Sequence, residues 1–197
     1  MTEFHILTVC TGNICRSPLA EQLLRSALGE VDVSLSSAGT GALVGHPMDE
    51  RAAQYSRQLG GVPDHHAGRQ LTEDIVRAND LVLVASREHR RAVVELVPRA
   101  SRFAFTLREL ARLLATFNDD DNAAVESERG LHARLATLVD VAASNRGVAE
   151  LPAEAADDDI VDPFRQTDAV YAEAVQQLLT AVQSITPALL SANAKLV

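Results

Sequence analysis

Phe4-His5-Ile6-Leu7-Thr8-Val9-Cys10-Thr11-Gly12-Asn13-Ile14-Cys15-Arg16-Ser17-Pro18 passes from apolar to polar and back to apolar spacing within a few turns of chain. The opening run is β-branched and aromatic and reads as a short buried strand ending at Cys10. A polar, glycine-bearing turn follows. Ser17 before Pro18 reads as an N-cap and a first helical position. Leu19, Leu23, Leu24, Ala27 and Leu28 then share one helical face, and Gly29 is placed to end it.

The alternation continues outward from this stretch. Residues 31–37 read as a second strand, and residues 49–59 as a helix stopped by Gly60-Gly61. Residues 71–74 open a short helix. Residues 80–85 form a near-continuous apolar run, as a strand covered on both faces should. Residues 87–97 are helical up to Pro98, residues 101–105 make a fourth strand, and Thr106 caps a helix over 107–117. Strands alternating with helices predict an α/β domain with a parallel sheet. Residues 118–162 break the pattern, because residues 123–143 keep helical periodicity between acidic flanks. One domain over 1–187 with an acidic, largely helical insertion at about 118–158 is expected, since ~40 residues seldom bury enough core to fold alone. Residues 167–185 read as an apolar closing helix, and residues 188–197 are expected to fray beyond Pro187.

Composition limits the function classes. The chain has 197 residues, 47% hydrophobic and 23% charged, which fits a soluble globular protein. No apolar run approaches the ~18 residues of a membrane span. The N-terminus lacks the basic start and apolar stretch of a signal peptide, so a cytoplasmic location is expected. A net charge of −9 argues against nonspecific nucleic-acid or anionic-membrane binding. Twelve acidic residues against three arginines between residues 119 and 162 account for that whole charge. The acidity belongs to one segment, not to the fold.

The chemistry sits in the first loop. A cysteine, five residues and an arginine at a strand-to-helix turn suit one purpose. Successive N–H groups curl around a tetrahedral oxyanion, and the helix N-terminus adds partial positive charge. The same field stabilises a thiolate at Cys10. Arg16 supplies a forked donor for two phosphate oxygens, and Gly12 permits a turn closed to most residues. His65-His66 beside Asp64 has no recognised metal-ligand spacing, and His5, His46, His89 and His132 carry no motif.

This loop resembles that of the low-molecular-weight protein tyrosine phosphatases, whose motif pairs the cradle with a late Asp-Pro-aromatic triplet, here Asp162-Pro163-Phe164. Ser36-Ser37-Ala38-Gly39-Thr40-Gly41 is similar to the family's second loop. His66-Ala67-Gly68-Arg69-Gln70-Leu71-Thr72 is similar to the segment that buttresses the cradle. The resemblance implies a Rossmann-like three-layer α/β fold, with helices on both faces of a four-stranded parallel sheet in the order 2-1-3-4. It implies two-step phosphoryl transfer without metal or cofactor. Cys10 is the implied nucleophile, with Arg16 and the loop Thr11, Gly12, Asn13, Ile14, Cys15 and Ser17 binding the phosphoryl group. Asp162 is the implied general acid and then base, and Phe164 a wall for the substrate ring. Ser37 and His66, with Asn13 and Ser17, are implied to support the loop. The implied partner is a phosphotyrosine-containing protein, with phosphate or another tetrahedral oxyanion in the loop, no nucleic acid, no membrane, and a monomer or weak dimer.

Two departures bear on specificity. The family often has an aromatic residue after Gly41, where this chain has Ala42-Leu43, and a second aromatic after the triplet, where it has Arg165. Phosphotyrosine recognition leans on aromatic walls. In the other direction, the similar protein-arginine phosphatases usually place threonine at Ile14, and isoleucine favours a phenyl ring. A small-thiol-coupled arsenate reductase and a non-catalytic phosphoprotein-binding module are the further alternatives. Arsenate reductases similar in this fold and loop need cysteines beyond Cys10 and Cys15 and usually have glutamine where Pro18 stands, which leaves only one resolved by an external small thiol. Cys15 is either a packing residue or a redox partner for Cys10. The insertion either covers apolar surface or overhangs the pocket.

Overall fold

The computed structural model describes residues 3–193. Four strands, β1 (Phe4–Cys10), β2 (Val33–Gly39), β3 (Leu81–Val84) and β4 (Ala104–Thr106), form one parallel sheet in the order β2-β1-β3-β4. The register pairs Cys10 with Gly39, Val9 with Val84, and Val84 with Thr106. The strand carrying the candidate nucleophile is therefore an inner one, and Cys10 stands at its carboxyl end. Open α/β sheets bind ligands at that end.

The strands alternate, and the alternation sorts the side chains into two cores. Ile6, Leu81, Leu83 and Phe105 face one side, where α1 (Arg16–Leu28), α5 (Leu107–Leu114) and α8 (Asp168–Asn193) cover them with Leu19, Leu24, Leu110, Leu113, Leu178 and Ile185. Leu7, Val9, Val82 and Val84 face the other, under α3 (Glu73–Arg77) and α4 (Arg87–Leu96) with Val76, Val93 and Val97. Helix α2 (Glu50–Gln58) adds Ala52 and Ala53 to the first core. The expected three layers and sheet order are found.

The segment after α5 forms two helices, α6 (Asp119–Ser127) and α7 (Leu131–Asn145), broken at Gly130, whose φ is 93°. Leu135, Val139 and Ala142 of α7 join the first core, and His132 packs edge-on against Phe4 with ring centroids 5.5 Å apart. Arg146 lies 4.0 Å over the Phe105 ring and pairs with Glu109 at 2.7 Å. The insertion thus covers apolar surface of the first core.

The fourth strand, expected over residues 101–105, is β4 at Ala104–Thr106, because Pro98–Arg102 wind into a short 3-10 helix before it, and the end of the last helix differs as well. Helix α8 does not fray beyond Pro187 but runs through it to Asn193, with Leu189 and Ala192 buried. Proline removes one helical donor and usually ends a helix. Here the burial of the last turn and a hydrogen bond from Arg134 Nη1 to the Ala192 carbonyl, 3.2 Å, hold it. Residues 194–197, the rest of that expected tail, lie outside the described residues.

Candidate active site

The cradle is made by peptide geometry. The Cys10 carbonyl accepts from Thr40 N at 2.9 Å, Thr11 from Gly41 N at 3.0 Å, and Gly12 from Leu43 N at 3.0 Å. The Ile14 carbonyl accepts from Asp49 N at 2.8 Å and Cys15 from Leu19 N at 3.1 Å. The Asn13 carbonyl accepts from His66 Nε2 at 2.6 Å, so that ring nitrogen carries its proton. Six consecutive carbonyls are thereby turned outward. In a trans peptide the N–H points opposite the C=O, so the amides of residues 11–16 converge on the concave side. Asn13 has φ 54°, a left-handed conformation that asparagine tolerates better than most residues. The loop also needs a bare backbone behind it, since a Cβ on Gly39 would collide with the Thr11 carbonyl.

The side chains of Asn13 and Ser17 brace the loop, as the resemblance implies. Asn13 is fully buried behind the loop, its Nδ2 donating to Ser17 Oγ at 3.0 Å and its Oδ1 accepting from Arg69 N at 2.8 Å. Ser17 does not cap α1, which begins one residue earlier with Cys15 in the cap position. Its hydroxyl instead lies 3.0 Å from Cys10 Sγ and 3.4 Å from the Ala38 carbonyl. With Asn13 donating to that oxygen, the one hydroxyl proton has two acceptors within reach, the Ala38 carbonyl and the sulfur. The same hydroxyl could not both cap the helix and serve the thiol, and the thiol won. Ser37 contributes its carbonyl, which accepts from Arg69 Nε at 3.1 Å, and among the described residues its side chain makes no hydrogen bond to the loop.

Cys10, Thr11, Gly12, Ile14, Cys15, Arg16, Gly41, Leu43, Asp162, Phe164 and Arg165 line one cleft of about 270 Å³. No residue of the insertion lines it. Arg16 is buried, donates from Nη1 to the Ile160 carbonyl at 3.2 Å, and pairs through Nη2 with Asp162 Oδ2 at 2.8 Å. Its side chain is 6% exposed against 54% for Asp162, so one ion-pair partner is fixed and the other faces solvent. The Arg16 Nε is buried with no partner among the described residues. A buried guanidinium donor left unpaired is costly and suits an anion in the loop.

Asp162 is held from a distance. Its Oδ1 accepts from Phe164 N at 3.1 Å, a local turn that aims the carboxylate. The preceding chain is tied down by Ile160 N to the Ala85 carbonyl, 2.8 Å, and Val161 N to Gln177 Oε1, 3.0 Å. Arg87 clamps the Asp159 carboxylate, Arg108 donates to the Asp159 carbonyl at 3.0 Å, and Arg112 pairs with Asp158 at 2.9 Å. The acidic run 157–159 is thus largely neutralised by arginines of α4 and α5.

Two residues without a sequence motif support the loop. His89 is buried, with Nε2 2.8 Å from Thr11 Oγ1 and Nδ1 2.7 Å from Ser86 Oγ. Burial, reinforced by the nearby Arg16 charge, pushes it down to about 4, so it is neutral near pH 7. Tyr171 donates to Asp49 Oδ1 at 2.7 Å, and that carboxylate caps α2 through Arg51 N at 3.1 Å. Burial pushes the Cys15 thiol up to about 12, against a hydrogen bond to Tyr171 that lowers it. Cys10 and Cys15 are both free thiols. The signal for His89 was spatial only: it lies 78 residues from Thr11 in sequence.

The family model of the low molecular weight phosphotyrosine protein phosphatases matches residues 5–121. The curated "Low molecular weight protein-tyrosine-phosphatase Etp" of Escherichia coli is 47% identical over 93 residues, 47% of this chain and 62% of that protein. The chain therefore spans about three-fifths of that relative's length. Among solved structures, the tyrosine phosphatase Wzb from Escherichia coli in complex with sulphate superposes with a TM-score of 0.64 at 25% identity, covering 94% of this chain and 98% of that one. The YwlE arginine phosphatase from Geobacillus stearothermophilus gives 0.64 at 26% identity, covering 93% and 91%. The family match ends before Asp162, which is joined to the cradle by its ion pair with Arg16.

Proposed function

The chain belongs to the low molecular weight phosphotyrosine protein phosphatase family, and from that premise we propose that it hydrolyses phosphotyrosine in proteins through a cysteinyl-phosphate on Cys10. The observation that carries this reading is the buried Arg16 guanidinium, which lines the same cleft as Cys10 and whose Nε has no partner among the described residues, beside the loop amides. These are donors for a tetrahedral oxyanion, and a sulphate occupies the related Wzb.

In the first step the Cys10 thiolate attacks phosphorus in line. The S–P bond forms as the P–O bond to the phenol breaks, and Asp162 gives its proton to the departing oxygen. Arg16 and the amides hold the equatorial oxygens throughout. Arrival of the phosphoryl group takes over Arg16 donors, which frees Asp162 from its pairing at 2.8 Å. In the second step water attacks phosphorus, Asp162 takes its proton, and the S–P bond breaks to return the thiolate and release phosphate. The Ser17 hydroxyl, 3.0 Å from the sulfur, stabilises the thiolate at both ends of the cycle. The charge on phosphorus is met by protein donors, so the cycle uses no metal. Both cysteines act as free thiols, which suits a reducing, cytoplasmic setting.

The walls support tyrosine over arginine. Ile14, Leu43 and Phe164 are apolar and suit a phenyl ring, and a phosphorylated guanidinium would need acceptors that Ile14 does not supply. The test is steady-state hydrolysis of p-nitrophenyl phosphate, a phosphotyrosine peptide and a phosphoarginine peptide with EDTA present. Turnover of the phosphotyrosine peptide that survives EDTA is expected. Preferential turnover of phosphoarginine would install the arginine-phosphatase reading instead, and no turnover at all would favour a binding module or a reductase.

A further inference from the structure

Resting on the phosphotyrosine reading, we propose that Arg165 selects substrates with an acidic residue beside the phosphotyrosine. Gln166 N donates to the Pro163 carbonyl at 3.0 Å and closes a turn in which Arg165 has φ 60°. That position of a turn favours glycine or asparagine, because a Cβ is crowded there. A long side chain kept in a strained conformation at the mouth of a site points to a use for that side chain.

The placement supplies the use. Arg165 is exposed and lines the cleft that holds Cys10, Arg16 and Asp162. Its guanidinium sits 5.0 Å from the centroid of the Phe164 ring, the wall for the substrate's own ring. No carboxylate among the described residues pairs with it, whereas Arg16, Arg87, Arg112 and Arg146 each hold one. The nearest acids in sequence, Asp162 and Asp168, are engaged elsewhere, the first by Arg16 and Phe164 N and the second by Arg51. With the phosphoryl group at the bottom of the cleft and the ring against Phe164, the peptide backbone leaves at the mouth, within reach of a forked, unpaired cation. A carboxylate on a flanking residue accepts both arms of that fork. In a chain of net charge −9, this cation gives the mouth a local sign opposite to that of the whole surface.

The experiment compares kcat/KM on three phosphotyrosine peptides that differ only in flanking glutamate, alanine or lysine. The wild type is expected to rank them in that order, with about two- to fivefold between neighbours at low salt, the size of an exposed ion pair. Added salt should compress the ratio. Arg165→Gly and Arg165→Ala should bring it to one, and Arg165→Lys should restore part of it. Arg165→Gly should unfold at or above the wild-type temperature, because glycine adopts that φ without strain, which separates lost recognition from lost fold. Equal turnover of the three peptides by wild type, or a preference that survives Arg165→Gly, overturns the assignment. A wild type that turns over none of the three overturns the phosphotyrosine reading itself.

Discussion

The two halves of the site are built on opposite principles. Residues 10–17 form a loop whose outward carbonyls are bonded to fixed neighbours, and whose conformation follows from local residues such as Asn13 at φ 54°. Residues 155–164 have no sheet partner and reach the cleft through tethers from Arg87, Arg108, Arg112, Ala85 and Gln177, and through Arg16 of the loop, which holds the Ile160 carbonyl and the Asp162 carboxylate. Cys10 thus stands at the end of a central strand, in one continuous loop braced through its backbone by residues 40–49 and 66–69, whereas Asp162 depends on tethers from scattered side chains. The cradle should therefore keep binding anions when the acid is disturbed, and chemistry should suffer while binding does not.

The strongest way to test that division is to remove the nucleophile. Cys10→Ser is expected to lose at least about 10⁴-fold in kcat, while phosphate still binds to backbone and Arg16, which isothermal titration can measure. Loss of phosphate binding would mean that the sulfur itself holds the loop open. Asp162→Asn should cost about 10² to 10⁴-fold on phenyl esters with basic leaving groups and much less on dinitrophenyl phosphate. A loss equal for both esters would remove the general-acid role. Arg112→Met cuts one tether of the acid segment and should lower kcat about tenfold through misplacement, with the same leaving-group dependence and an unchanged inhibition constant for phosphate. A change in that constant would show the two halves to be coupled.

The smallest expected effect is on stability. His89 is held neutral in the fold at a value of about 4, below its ordinary 6.5, while the unfolded chain binds the proton more readily. The unfolded state therefore carries more protons between those values, and stability falls as pH drops through that window with a slope of at most about one proton. Urea melts of His89→Gln should show a flatter dependence there. An unchanged slope would place the proton uptake on another group.

Much of this was legible in the sequence, for reasons that follow the same division. The run from Phe4 to Pro18 contains strand, cradle and helix start in one local pattern, so Cys10, Arg16 and the loop could be read directly. The order of the strands came from family resemblance, because nothing local distinguishes which strands pair. Ser17 was misread as a cap because a serine before a proline has that local preference, whereas its hydroxyl answers to Cys10 and Asn13. His89, Arg108 and Arg112 left no trace, since their partners Thr11, Asp159 and Asp158 lie far along the chain. The end of α8 was misjudged because Pro187 is a local stop signal, and only the burial of Leu189 and Ala192 outweighs it.

The central claim is that phosphate passes covalently through Cys10, and the most direct measurement looks for that species. Asp162→Asn, mixed with dinitrophenyl phosphate and quenched in acid, forms the intermediate without needing the acid and hydrolyses it slowly for want of the base. Mass spectrometry of the digested protein should find one phosphoryl group on the peptide carrying Cys10, and none after the same treatment of a protein that also carries Cys10→Ser. Burst release of dinitrophenol with no adduct on Cys10, or an adduct on another residue, would contradict the account.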